Sequence, residues 1–542
     1  MNGSQVVLRS LMAQRVDTLF GIIATHTIHL YDALYDLQDH FRHITGRQEL
    51  ALGFMADGYA RASGRPGVLL TSVGPGAANS MHSMGEAFHS SSSILQVTTN
   101  VERGFINSRR GARHEPRDQL GMFASVTGWN ALAESVESVP ECIDEAFVRF
   151  KTRRPRPVEL ELPGDLLAQE GDVEIGPPSA AEPPAGDPAA VQRAVELLRR
   201  ARRPVLLAGD GVVHGEGTGL LLELAERLGA PVGLLDGGKG AFPDDHPLAV
   251  GFVMGGRSWG TNTVWDLLER CDLSLVVGSN ILYRDTLAHG LKLPSPLIHV
   301  DLDEECFNKN YPAEVTIRGA AGPVLRQMLD VLGSRDVHKG EAYARDVRQA
   351  RERTLSSLQA QWPNGLRLMQ ALREVLPRES ILAFDATTAL LRANRCLPIY
   401  EPRSYLAPWG WAGLGFGLPA ALGAKLACPD RPVVCISGDG GFQYNMQELG
   451  TAVQHGINIV LVIMNDNAWG TLKQRQATWL GGRFIATDLV NPDFVRLGEA
   501  YGIESTRVST VDGLARALGR ALAVGRLQLI EVQIPNGIDE LR

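Results

Sequence analysis

The stretch ISGDGGFQYNMQELGTAVQHGINIVLVIMNDNAWG, residues 436–470, decides the fold. An apolar run at 433–437 reads as a buried strand and stops at Gly438-Asp439-Gly440. An amphipathic helix follows, with Met446, Leu449 and Val453 on one face. A second apolar run, 457–464, ends in Asn465-Asp466-Asn467. In a right-handed βαβ unit the carboxyl ends of both strands fall on one edge of the sheet. Ligands of open parallel sheets collect at that edge. Asp439 is therefore expected to face the Asn465-Asp466-Asn467 cluster across a small gap. Paired hard oxygen donors suit Mg²⁺, which shares its octahedral shell with the phosphates of a substrate or cofactor. Gly438, Gly440 and Gly441 let backbone N–H groups approach a phosphate at the start of the helix. The unit reads as a holder for a diphosphate and a divalent cation.

Strand, Gly-Asp-Gly, helix, strand and Asn-rich turn together resemble the thiamine-diphosphate motif of acetolactate synthase, benzoylformate decarboxylase, benzaldehyde lyase and their relatives. The resemblance implies that the metal takes Asp439, the side chain 27 positions on, Asp466, and the backbone carbonyl of Ala468. Asn is usual at the second ligand, so Asp466 is a departure that adds negative charge beside the diphosphate. A one-residue shift of the turn would give the role to Asn465 or Asn467. Trp469 and Asn467 flank the turn and are expected at the entrance. A bare Gly-Asp-Gly is weak evidence. Gly209-Asp210-Gly211 also follows a buried strand, yet 27 positions after Asp210 stands Gly237, with no Asn-rich strand end.

A second signal lies near the other end. RQELALGFMADGYARASGRPGVLLTSVGPGAAN, residues 47–79, is similar to the family's N-terminal signature throughout. Glu49 occupies the place of the glutamate that hydrogen-bonds the cofactor's aminopyrimidine, and an apolar site would keep its proton available. Asn79 matches a residue near the pyrimidine. GLGFGLP, residues 413–419, resembles the loop that bends the cofactor. Leu414 stands there at the apolar wedge position, and Ala412 stands where a backbone carbonyl meets the pyrimidine amino group. Thr387 and Thr388, after SILAFD, match a segment touching the diphosphate.

Composition agrees with this class. The 542 residues carry 53 Lys plus Arg against 61 Asp plus Glu, a net charge of −8, which argues against a general nucleic-acid binder. Six scattered cysteines with no Cys-x-x-Cys argue against a zinc ribbon or a disulfide scaffold. No apolar run approaches the ~18 residues of a membrane span, and Arg9, Arg15 and Asp17 interrupt any leader-like segment. A cytoplasmic protein without a membrane partner is expected.

Short apolar strands alternate with helical stretches throughout, which reads as α/β with parallel sheets. Residues 171–190 hold five prolines and read as a linker. The expected organisation is three Rossmann-like domains: pyrimidine-binding (1–170), central (191–335) and diphosphate-binding (366–542), with a connecting helix at 336–365. The resemblance further implies a homodimer or homotetramer in which two chains sandwich each cofactor. Some acetolactate synthases hold FAD in the central domain. GDGVVHGEG, residues 209–217, only partly resembles a dinucleotide fingerprint, so a plain structural turn is the preferred reading there.

The implied cofactors are thiamine diphosphate and Mg²⁺, and the implied substrate is a small 2-oxo acid or aldehyde. Thr25 and His26 resemble a loop beside the substrate. Ser72 stands where benzoylformate decarboxylase has a histidine, which weakens a simple decarboxylase reading. His114 lies near a position where carboligases often carry glutamine, and both histidines titrate in the range needed to move protons. The leading expectation is an acetolactate-synthase-like carboligase or lyase. The alternatives are a non-ligating 2-oxo acid decarboxylase and a cofactor-binding paralogue without turnover.

Overall fold

The computed structural model describes residues 1–253, 263–283, 286, 290–334, 341–534, 537 and 541. Three six-stranded sheets are built in succession. The first holds β1 (Thr18–Gly21), β2 (Arg42–Thr45), β3 (Gly67–Thr71), β4 (Ile94–Thr99), β5 (Trp129–Leu132) and β6 (Val158–Leu162). The second holds β7 (Pro204–Ala208), β8 (Val232–Leu234), β9 (Ala249–Phe252), β10 (Leu273–Val277), β11 (Leu297–Asp301) and β12 (Val315–Arg318). The third holds β13 (Ile381–Phe384), β14 (Tyr405–Leu406), β15 (Val433–Gly438), β16 (Val460–Asn465), β17 (Glu504–Val508) and β18 (Gln528–Gln533). Every pairing among them is parallel. Near-continuous apolar strands such as PVLLA and VLVIMN are buried along their whole length, as expected where crossover helices cover both faces.

The first and third sheets share one strand order, β2-β1-β3-β4-β6-β5 and β14-β13-β15-β16-β18-β17. The order reverses between β1 and β3, and again between β13 and β15. The carboxyl ends of those strands therefore flank a crevice, the usual ligand position of an open parallel sheet. The middle sheet runs β12-β11-β10-β7-β8-β9, the doubly wound arrangement of a dinucleotide-type domain.

The first and third units share a hydrophobic core that runs from Phe20 and Ile44 to Leu461 and Leu529. At its centre the helices Glu49–Ser63 and Gly417–Ala427 touch backbone to backbone. A Cβ on Gly58 would stand 2.6 Å from the Ala420 Cα, and one on Gly423 would stand 2.7 Å from the Met55 carbonyl carbon. Charge joins the units as well. Buried Arg61 donates to Asp57 at 2.8 and 2.6 Å and to the Ala407 carbonyl at 2.7 Å. Buried Glu86 accepts the N–H groups of Gly410 and Trp411, each at 2.9 Å. Acids and bases of the first unit thus hold the loop of the third that leads to Gly413.

Three local expectations change. The helix after the linker starts at Pro188, inside 171–190, because Asp187 caps it through the Ala190 N–H at 2.9 Å and proline suits a first helical turn. The connecting segment is two helices, Glu341–Gln361 and Pro363–Val375, divided ahead of Pro363; residues 336–340 of that expectation lie outside the described residues. The helix after Asp439 is also divided, into Asp439–Asn445, a 3₁₀ turn at Met446–Glu448 and Leu449–Gln454. Asn445 leaves helical geometry, and its side chain donates to the Gly415 carbonyl at 2.8 Å. Glu448 turns inward to receive the Arg47 N–H at 3.1 Å. Val453 is consequently exposed instead of sharing the buried face of Leu449.

Candidate active site

Asp439 opens its helix directly after β15 and is buried. Its carboxylate accepts the Asn491 side-chain N–H at 2.6 Å. The same amide nitrogen lies 2.9 Å from Asn465 Oδ1 and 3.2 Å from Asn467 Oδ1, so Asn491 ties the ends of β15 and β16 together. Asn465 is otherwise committed to Glu531, to which it donates at 2.8 Å. Asn467 takes a left-handed backbone with φ +52°. A short antiparallel bridge between Ala468 and Asp488 fixes the turn. Its hydrogen bonds engage the Asn467 carbonyl and the Trp469 N–H, not the Ala468 carbonyl.

Asp466 is the member of the Asn-Asp-Asn cluster that meets Asp439. Burial and the neighbouring Asp439 carboxylate push its carboxyl up to about 7, and burial raises Asp439 too. Two carboxylates held this close repel unless a cation or a proton lies between them. Among the described residues no group of three or more His, Cys, Asp or Glu gathers as a metal cage. The paired carboxylates of Asp439 and Asp466 fit Mg²⁺, which binds through one or two carboxylates together with phosphate oxygens.

A cavity of about 310 Å³ opens at the β13/β15 crevice. It is lined by Thr387, Thr388, Ala412, Leu414, Gly438, Asp439, Gly440, Gly441, Asp466, Ala468 and Trp469, so every cofactor and metal residue expected in this unit meets at one place. Thr387 makes no side-chain cap to the helix it precedes, and the Thr388 hydroxyl lies 3.0 Å from that of Thr471. A Cβ on Gly440 would overlap the Trp469 ring, with Cε3 at 2.7 Å, so glycine is required where the indole closes over the turn. Asn467 is exposed beside this cavity's turn and does not line the cavity.

The remaining expected residues gather at the β1/β3 crevice. Asn79 donates to the Glu49 carboxylate at 3.0 Å. Ser72 and Glu49 both meet Gly76, where a Cβ would lie 3.4 Å from the Ser72 Cβ and 3.3 Å from a Glu49 oxygen. Thr25 starts a 3₁₀ turn that carries His26, whose ring lies 5.4 Å from that of His114. The His26 Nε2 is buried with no hydrogen-bond partner among the described residues. Burial, then the positive charges of His114 and Arg113, lower the His26 pKa. None of Thr25, His26, Glu49, Ser72, Asn79 or His114 lines the cavity that holds Asp439.

Several contributors escaped the sequence reading. Asp385, at the end of β13, is buried and accepts N–H groups from Gly415 and Gly417 at 3.1 Å each and from Ala386 at 2.8 Å. It fixes the loop that carries Leu414; its only sequence signal is its place at the end of an apolar strand. Asn491 comes from a loop at no fixed spacing. Gln119 holds the turn after β3 by accepting the Gly74 N–H at 2.9 Å. In the middle unit, Gly209-Asp210-Gly211 packs against Gly278: a Cβ on Gly211 would lie 2.6 Å from the Gly278 Cα. Close turn packing accounts for that glycine pair.

Comparison with known proteins supplies the decisive match. Three family models cover the chain: the thiamine pyrophosphate enzyme N-terminal TPP binding domain over residues 1–122, the central domain over 191–328 and the C-terminal TPP binding domain over 385–532. The chain belongs to the thiamine pyrophosphate enzyme family. Thiamine pyrophosphate is the same compound as thiamine diphosphate. The chain is 35% identical to a probable 2-ketoarginine decarboxylase of Pseudomonas aeruginosa over 539 residues, 98% of this chain and 94% of that protein. It is 32% identical to a probable acetolactate synthase large subunit of Methanocaldococcus jannaschii, covering 98% of this chain and 92% of that one. It is 30% identical to the acetolactate synthase isozyme 2 large subunit of Escherichia coli, covering 98% and 96%. As a thiamine pyrophosphate enzyme it has the three expected α/β units in the expected order, and an enzyme of this type is supported. Among the described residues no helix is long and apolar enough to cross a membrane.

Proposed function

We propose that this thiamine pyrophosphate enzyme uses Mg²⁺ and acts on a 2-oxo acid, transferring the fragment left after decarboxylation to a second carbonyl in the manner of acetolactate synthase. The convergence of eleven expected residues on the Asp439 cavity carries this reading. Bound thiamine diphosphate supplies the carbon nucleophile and accepts the electron pair released with carbon dioxide.

In this reading the chain's own groups do the following work. Asp439, Asp466 and the Ala468 carbonyl hold Mg²⁺. The amides of Gly440 and Gly441 and the hydroxyls of Thr387 and Thr388 receive the diphosphate, with Gly438 and Trp469 shaping the wall around it. Leu414 would pack against the cofactor's rings, and the Ala412 carbonyl would accept from the pyrimidine amino group. Glu49, oriented by Asn79, holds a proton at the pyrimidine ring nitrogen. His26, with its unpartnered Nε2, and His114 move protons at the substrate, beside Thr25, Ser72 and Asn467.

Glu49 and Asp439 occupy different crevices of one chain, so the reading requires a second copy, as a homodimer or homotetramer. Exposed apolar side chains occur on both units, Ile23 and Ile28 on the first and Trp411, Tyr444 and Leu472 on the third. Exposed apolar groups of this kind suit a protein–protein contact.

A second reading, a 2-oxo acid decarboxylase that releases aldehyde, is favoured by the 35% identity to a protein named for that activity. Product analysis separates the two. Pyruvate with thiamine diphosphate and Mg²⁺ should give acetolactate or an acyloin, whereas free acetaldehyde alone would establish the second reading. No carbon dioxide release from any 2-oxo acid would contradict both.

A further inference from the structure

Among the described residues three charged side chains line the Asp439 cavity: Asp439, Asp466 and Arg475. The carboxylates sit together at the strand ends. Arg475 lies on the helix Gly470–Trp479, five residues from its start, or about 7.5 Å along the axis at the helical rise. Apolar Met464, Leu472 and Ile534 also line the cavity. Lys473, on the same helix, is already committed to Asp488. The Arg475 guanidinium has no carboxylate partner among the described residues and lies over the Trp479 ring, 5.3 Å from its centroid. A planar, permanently charged fork held beside an aromatic face matches a carboxylate.

We infer that Arg475 is a specificity-determining residue that selects a 2-oxo acid bearing a second carboxylate at its far end. The inference rests on the proposed function and names the substrate class for it. The same charge opposes a cationic tail, so this chain should discriminate against 2-ketoarginine, for which the Pseudomonas aeruginosa relative is named.

The test uses holoenzyme loaded with thiamine diphosphate and Mg²⁺, as wild type, Arg475→Lys and Arg475→Leu. Carbon dioxide release is followed from 2-oxoglutarate, from 2-oxopentanoate, which ends in a methyl group, and from 2-ketoarginine. Wild type should favour 2-oxoglutarate over 2-oxopentanoate by about 10- to 100-fold in kcat/KM, the range of a charge-assisted hydrogen bond. Arg475→Leu should lose that preference through KM and keep 2-oxopentanoate turnover, while Arg475→Lys recovers part of it. Thiamine diphosphate affinity, read by calorimetry without substrate, should be the same in all three. Turnover of 2-oxopentanoate with no advantage for the diacid overturns the inference and leaves the proposed function standing. An equal loss for every substrate together with weakened cofactor binding also overturns it, because Arg475 then serves the diphosphate. Failure of wild type to bind the cofactor or to turn over any 2-oxo acid overturns the proposed function as well.

Discussion

The carboxylate of Asp385 receives the backbone N–H of Gly417 at 3.1 Å, binding the carboxyl end of β13 to a loop 32 positions further on. With Gly415 and Ala386 as further donors, this one buried acid arranges the turn that presents Leu414 and Ala412 to the cavity. Burial raises its pKa, and the surrounding N–H donors hold that rise back. Asp385→Asn replaces one acceptor oxygen with an N–H₂ that faces other donors. It should cost about 2–3 kcal/mol of stability, as for a charged hydrogen bond broken in a core. Thiamine diphosphate binding should weaken with it. Thermal unfolding and cofactor calorimetry check this, and an unchanged melting temperature would show that the loop holds itself.

The paired acids Asp439 and Asp466 give a second prediction. In the absence of a divalent cation the two carboxylates repel unless one takes up a proton, so Asp466→Asn should stabilise the chelator-treated protein, by about 1 kcal/mol once solvent screening of this partly exposed side chain is allowed for. Mg²⁺ with thiamine diphosphate should then raise the melting temperature of wild type more than that of the variant. A variant less stable than wild type in chelator would mean that the two carboxylates already share a stabilising proton.

Glu159 on β6 is fully buried, and burial together with the Glu161 carboxylate holds its carboxyl well above the usual range. The folded chain therefore binds this proton more tightly than the unfolded chain does. Its contribution to stability is whole below the unfolded value of ~4.3 and is lost as pH climbs toward the folded value. Glu159→Gln removes that dependence. The melting temperature of the variant relative to wild type should rise between pH 5 and pH 9, and a constant difference would place the proton elsewhere.

Much of this architecture was legible in the chain because the informative relations are local. A strand, a glycine turn, a helix and a second strand set Asp439 opposite the Asn465-Asp466-Asn467 cluster through βαβ geometry, and the family resemblance, with its spacing of 27 residues, singled out Asp466 within it. The cavity members Thr387 and Leu414 were found through the resemblance to family segments, and Trp469 because it flanks the turn after the second strand. Asn491, Asp385 and Arg475 were not assigned. Asn491 reaches Asp439 only because a loop folds back, Asp385 acts through backbone donors that carry no sequence signature, and a cation on an amphipathic helix is indistinguishable in sequence from a solvated one. The break at Asn445 was equally hidden, since it answers to the Gly415 carbonyl and to Arg47 of a different unit.

The central claim is that Glu49 of one chain and Asp439 of another serve a single cofactor, and mixing two inactive proteins tests it most directly. Glu49→Gln and Asp439→Ala homo-oligomers should each be inactive in 2-oxo acid decarboxylation. Unfolded together and refolded at equal ratio, they should recover about a quarter of wild-type activity, because half of the random dimers carry one intact site of two. Recovery of that order supports a site shared between chains. Activity that stays at the background of the separate variants, with mixed dimers verified by mass, would contradict the account.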